Sequence, residues 1–198
     1  MLKQYVIVIC GPHGSADPLI HFFDHTPLNS ASYIILRHLP ANYQSVLDNI
    51  LQRHARLKIV EAKNGASIEN DFVYYAPPHY HLQIQEGFIH CLARQEQEGP
   101  NMAYDIFMKS LAVSESRRKC IAIILSGKGK DGIEGITEIK KAGALIIVQS
   151  PESCEYPDLP LQVIDNEQAD FVLLPEDMPV IIHGYVNRFN YKKNNENA

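Results

Sequence analysis

The sequence predicts an α/β domain of three layers: a doubly wound, mainly parallel sheet with helices on both faces and an antiparallel hairpin at one edge. Three observations carry this. Short apolar runs rich in Val, Ile and Tyr alternate with segments of helical spacing. That alternation is the pattern of βαβ units, whose helices cover both faces of a sheet. One stretch, 82–92, instead alternates around Glu86-Gly87, as a hairpin does.

The elements follow in order. Strands are predicted over 5–10, 33–36, 72–76, 120–125, 144–149 and 171–174. Helices are predicted over 16–24, 43–55, 102–113, 133–142 and 159–166. In 43–55 the apolar Val46, Leu47, Ile50 and Leu51 recur at the spacing of one buried face. Gly143 stands where a glycine just past a helix C-terminus should. The start superficially suggests a signal peptide, but its apolar run is short and ends in Gly11-Pro12-His13-Gly14, so it reads as a first strand. One domain over 1–189 is expected, followed by a polar, disordered tail over 190–198 that has nothing to bury.

Composition narrows the function classes. Lys and Arg number 18 against 23 Asp and Glu, a formal charge of −5, and the longest basic block is Arg117-Arg118-Lys119. Nucleic acid is therefore not an expected partner. No uninterrupted apolar stretch is long enough to span a bilayer, so no membrane insertion is expected. Cys10, Cys91, Cys120 and Cys154 are widely separated and form no Cys-x-x-Cys pair, which fits reduced thiols in a cytoplasmic protein.

Ligands of open α/β sheets gather at the carboxyl ends of the strands. The loops after three predicted strands hold His13 and Ser15, then His38, then Asp131. Ser, His and Asp are the chemical set for acyl transfer: a hydroxyl attacks, an imidazole takes its proton, and a carboxylate fixes the imidazole tautomer. Plainer readings stand beside these. Asp131 fits the N-cap of helix 133–142, His38 fits a half-buried strand end, and Ser15 or Asp17 could start the first helix with Pro18 just inside. His79 and His81 would face one side of an extended segment, and His13, His38 and His81 could converge. No Cys or carboxylate with ligand spacing accompanies them, so no metal is expected. The loop Gly127–Gly132 lacks the spacing of a nucleotide-phosphate cradle, although Lys128 and Lys130 could attract an anion.

Five segments resemble one family, the catalytic domain of the chemotaxis protein-glutamate methylesterases (CheB-type). Ser126-Gly127-Lys128-Gly129-Lys130-Asp131-Gly132 is similar to its Thr-Gly-Met-Gly-x-Asp-Gly loop, and Gln149-Ser150-Pro151-Glu152-Ser153-Cys154 to its Gln-Asp-Pro-Glu-Ser-Ala segment. His38-Leu39-Pro40 resembles its His-Leu-Pro, Ala76-Pro77 with His81-Leu82 its Ala-Pro-x-x-x-His-Leu, and 105–112 its Asp-x-Leu-Phe-x-Ser-Ala helix.

The resemblance implies that His38 is the base, Asp131 its orienting acid, and that Gly11, Lys128 and His81 belong to the cleft. It implies hydrolysis of receptor glutamate methyl esters or deamidation of glutamine, with methylated chemoreceptor cytoplasmic helices or another signalling protein as partner and no cofactor. Three departures qualify it. Where the family reads Gly-Ala-Ser-x-Gly-Gly, this chain reads Gly11-Pro12-His13-Gly14-Ser15-Ala16, so His13 occupies the serine slot and Ser15 sits two positions later. Lys128 replaces the usual Met in a loop that helps form the oxyanion hole, and Asn101-Met102 replace an Arg-Pro pair. Two functions are expected: an esterase that is very weak or silent as written, or a catalytically inactive relative binding a partner or anion through His13, His38 and Lys128.

Overall fold

The computed structural model describes residues 5–11, 16–29, 31–38, 47–94, 101–114 and 119–195. Seven strands form one sheet in the order β10-β9-β8-β1-β2-β5-β3, and every pairing in it is parallel. The strands are β1 (Tyr5–Cys10), β2 (Ser32–Leu36), β3 (Lys58–Glu61), β5 (Phe72–Tyr75), β8 (Lys119–Ile124), β9 (Leu145–Gln149) and β10 (Phe171–Leu173). The chain winds outward from β1 through β2, then crosses to β8 on the other side. The topological switch point therefore lies between β1 and β8, where such folds place their ligands.

Side-chain alternation divides the core in two. Val6, Val8, Cys10, Ile34, Leu36, Ala122 and Ile124 face α3 (Ala103–Val113), α4 (Ile133–Lys141) and α5 (Asp158–Asp165). Ile7, Ile9, Tyr33, Ile35, Ile121 and Ile123 face α1 (Asp17–Asp24), α2 (Leu47–His54) and α6 (Met178–Asn195). All six residues of β1 are buried, as a central strand covered on both faces requires.

Three features depart from the sequence reading. First, the hairpin β6 (Tyr80–Gln85) and β7 (Phe88–Ala93) exists, with Glu86 and Gly87 both at positive φ, but it is not an edge of the main sheet. It forms a separate three-stranded sheet with β4 (Ala66–Ser67). Its apolar face, Leu82, Ile84 and Ile89, joins the cluster that holds Phe107, Met108 and Leu111 of α3. Ser110 Oγ accepts the Ile84 N–H at 2.9 Å, so α3 occupies the side of β6 that a strand would otherwise take. Second, β3 and α6 were not expected. Third, the segment 190–198, expected as a polar tail, is helical as far as Asn195. Residues 43–46 of the second expected helix lie outside the described residues. No helix among the described residues is long and apolar enough to cross a membrane.

Candidate active site

Parallel pairing in one register brings three strand ends together. Cys10 of β1 is level with Leu36 of β2 on one side and with Ile124 of β8 on the other. His38 follows β2 by two residues, and Asp131 sits in the loop after β8. His38 Nε2 lies 2.5 Å from Asp131 Oδ2, with both side chains largely buried. Two residues 93 apart in sequence therefore share a charge-assisted hydrogen bond.

The Asp131 carboxylate is fully engaged. Oδ2 also accepts the Tyr104 N–H and Oδ1 the Asp105 N–H, each at 2.9 Å. These are N–H groups of the first turn of α3, which have no partner within their own helix. Asp131 thus does cap a helix, but a different one from the helix that follows it. The N-cap residue of α4 is Gly132, which has no side chain to cap with. Gly132 adopts φ +103, a conformation that side chains resist. That turn swings Asp131 away from α4 and onto α3.

Asp105 returns the arrangement. Its Oδ1 accepts the Gly135 N–H, in the first turn of α4, at 2.6 Å. Two helix N-termini exchange carboxylates, and each carboxylate meets the positive end of the other helix's dipole. Burial raises the Asp105 carboxyl above its ordinary value, the Gly135 N–H partly offsets this, and the neighbouring Asp131 charge adds to it.

Tyr104 closes the cluster. Its ring stacks on His38, with centroids 4.2 Å apart and planes 14° from parallel. Its hydroxyl donates to the Gly11 carbonyl at 2.9 Å. Burial holds its phenol well above the ordinary value, so the hydroxyl stays a donor.

The loop after β8 is fixed on its other side. Gln149 Oε1 accepts the Ser126 N–H at 2.9 Å, and Gln149 Nε2 donates to Ser153. Ser126 Oγ accepts the Tyr156 N–H at 2.9 Å. Lys128 is exposed, and its ammonium lies 3.7 Å from the Tyr156 ring centroid, a cation–π contact. A cavity of about 390 Å³ opens beside these residues, lined by Asp17, His21, Ser126, Gln149, Glu155 and Glu176 among others. Its charged lining is acidic, which disfavours an anion there.

The remaining candidates divide clearly. Gly11 directly follows β1 and donates its N–H to Leu36 O at 2.8 Å. His13 and Ser15 lie outside the described residues. Helix α1 begins with Ala16 at its N-cap and Asp17 as its first helical residue, so Asp17 is not the cap. His81 is on β6 opposite Leu92, in the small sheet rather than at the strand ends that carry His38 and Asp131. His79 has φ +66, so the segment is not extended there and the two imidazoles do not share a face by alternation. The four thiols are free, and burial raises all of them, Cys154 to about 11 and Cys120 to about 12, so none is a ready nucleophile near neutrality.

Sequence reasoning gave Tyr104 no role and quoted Asp105 and Gln149 only inside segments. Gln149 carried a signal: a polar residue ending a strand whose five positions are all buried must find partners.

A family model described as CheB methylesterase matches residues 7–182. A protein-glutamate methylesterase/protein-glutamine glutaminase of Chromohalobacter salexigens is 27% identical over 88% of this chain and 50% of the relative. The protein of the same description from Thermotoga maritima is 29% identical over 88% of this chain and 52% of the relative. This chain therefore spans about half the length of these relatives. The crystal structure of the Thermotoga maritima CheB methylesterase catalytic domain superposes with a TM-score of 0.82 at 27% identity, covering 92% of this chain and 99% of that one.

Proposed function

Because the chain belongs to the CheB methylesterase family, we propose that its site performs acyl-transfer chemistry on glutamate methyl esters or glutamine amides of a protein, with His38 as base and Asp131 as the residue that orients it. The observation that carries this is the 2.5 Å contact between His38 Nε2 and Asp131 Oδ2 at adjoining strand ends. With Nε2 held to the carboxylate, proton transfer falls to Nδ1 of the same ring. A hydroxyl attacking the ester carbon gives its proton to that nitrogen. The imidazolium returns the proton to the departing methoxide as methanol, and a water molecule repeats the sequence to release the glutamate. Asp131 stabilises the imidazolium at each stage and is itself held by two backbone N–H groups. A methylated receptor helix is the substrate proposed by analogy with the relatives.

The nucleophile decides how fast this runs. With His13 in the serine slot, the hydroxyl is absent or displaced to Ser15, so turnover by the chain as written is very weak or nil. One sequence observation, His13 itself, favours a second reading: a relative that has kept the cleft and binds a partner or an anion. Methanol release from a methylated receptor helix fragment separates the two. Release by His13→Ser and not by the parent supports a cleft that kept base and acid after losing its nucleophile. Release by the parent that needs Ser15 and survives His13→Ala assigns the nucleophile to Ser15. Silence in every form leaves the binding role.

A further inference from the structure

We propose that Tyr104 is a positioning residue that clamps Gly11, the residue directly after β1, to the His38–Asp131 pair. The proposal rests on reading His38 and Asp131 as base and orienting acid. A buried tyrosine needs one acceptor for its hydroxyl and apolar walls for its ring, and most core tyrosines do no more. Tyr104 does more, because its three contacts go to three different strand-end loops. The hydroxyl bonds Gly11 O, directly after β1 and just ahead of His13 and Ser15 in sequence. The ring lies flat on His38, two residues after β2. The backbone N–H bonds Asp131 Oδ2, the same oxygen that meets His38 Nε2.

Each contact has a separate consequence. The hydrogen bond to Asp131 fixes the direction of Nε2, and a bond along one axis restrains rotation about that axis least. A parallel ring at 4.2 Å restrains the imidazole plane about that axis. The same ring presents its π face to the imidazolium that forms when His38 takes a proton, and this adds a cation–π attraction that the neutral ring lacks. The hydroxyl fixes the height of Gly11 relative to His38, and in sequence Gly11 directly precedes the segment with His13 and Ser15. Sub-ångström placement of that kind decides whether a proton can pass between nucleophile and base. Tyr104 is 2% exposed, so it acts through these neighbours rather than on substrate.

Tyr104→Phe removes the hydroxyl and keeps the ring, whereas Tyr104→Leu removes both. Each is made in the full chain, in the parent and in His13→Ser. Three quantities are read: amide exchange of Gly11 against Val8 and Ile34, the His38 ring proton shifts, and kcat and KM for ester hydrolysis in whichever form turns over. For Tyr104→Phe the expected result is Gly11 exchange faster by about tenfold with Val8 and Ile34 unchanged, His38 shifts retained, and kcat lower by about tenfold with KM little altered. For Tyr104→Leu the His38 ring protons should also move downfield, because the shielding face is gone. Parent-like Gly11 exchange and kcat in Tyr104→Phe would overturn the clamp. So would exchange that rises equally at Gly11, Val8 and Ile34, because that marks a core aromatic and nothing more. If no form hydrolyses ester but Gly11 and His38 respond as expected, the clamp stands and the esterase reading falls.

Discussion

The two flanks of the central strand end differ in what they do with charge. On the α3–α4 flank, Asp131 and Asp105 are buried and each is hydrogen-bonded to backbone at a helix N-terminus. On the α1–β10 flank, Glu155 and Glu176 line an open cavity with Ser126 and Gln149, and the contact of Glu176 with His21 is a loose 4.0 Å. The first arrangement is pre-organised: the carboxylate that meets His38 is held by two backbone N–H groups, as the proposed base would require. The second leaves room. Carboxylates in the same fold are thus structural and orienting on one flank and solvated on the other, so substitutions should cost very different amounts on the two sides.

The largest effect is expected at Asp131. Asp131→Asn replaces one acceptor oxygen by an amide, which must then face His38 Nε2 or an α3 N–H without a lone pair to offer. Hydrolysis, in whichever form of the protein turns over, should fall by about 10³–10⁴, and a buried donor left unsatisfied should cost about 1–3 kcal/mol in denaturant unfolding. A variant with parent-like rate and stability would break the contrast at its strongest point.

Next comes the contact between α3 and α4. A Cβ at Gly135 would stand 2.8 Å from Met108 Cβ and 3.1 Å from Asp105 Cα. Alanine gains about 1 kcal/mol of helix propensity over glycine, but overpacking at backbone-level contact costs about 1–3 kcal/mol. The clash involves a neighbouring Cβ and a Cα rather than a flexible side-chain end, so it should win. Gly135→Ala should lower the melting temperature, and unchanged melting would show that the helices can separate freely.

Asp105 offers a pH test with a definite sign. Its carboxyl is raised in the folded state, so folding is favoured when it is protonated. That contribution is lost as pH rises through the window from the ordinary value of 3.8 to the raised one, and is absent above it. Asp105→Asn keeps an oxygen for the Gly135 N–H and removes the titration. Relative to this variant, the parent should gain stability as pH falls into that window and gain nothing between neutral pH and its upper edge. A constant difference in urea unfolding from pH 7 down to pH 3 would contradict the assignment. The smallest effect belongs to the open flank: Glu176→Gln should shift stability by no more than about 0.5 kcal/mol. A larger loss in thermal unfolding would mean that the cavity is as organised as the other side.

The same contrast explains what could be read in advance. His38 and Asp131 were legible because strand ends are where such sheets do chemistry, and because their surrounding segments resemble a family. Tyr104 was not, since its contacts come from loops that meet only when the sheet is assembled. In sequence it is one more aromatic in a helix. The hairpin was legible as alternation, but alternation says that one face is covered and not what covers it; Phe107, Met108 and Leu111 do. The strand β3 was missed because it has four residues and one buried position, Ile59. The helix α6 was hidden by Pro179 and Gly184, although Met178, Ile182 and Val186, all buried, keep helical spacing. His13 and Ser15 lie outside the described residues, so the nucleophile is a question for kinetics.

The central claim is that this cleft retains a working base and its orienting acid. The most direct measurement is methanol release from a methylated receptor helix fragment by His13→Ser, compared with His13→Ser carrying His38→Ala as well. Release by the first, with loss of about 10³-fold or more in the second, is the predicted result. Release that survives the loss of His38, or no release from His13→Ser at all, would contradict it.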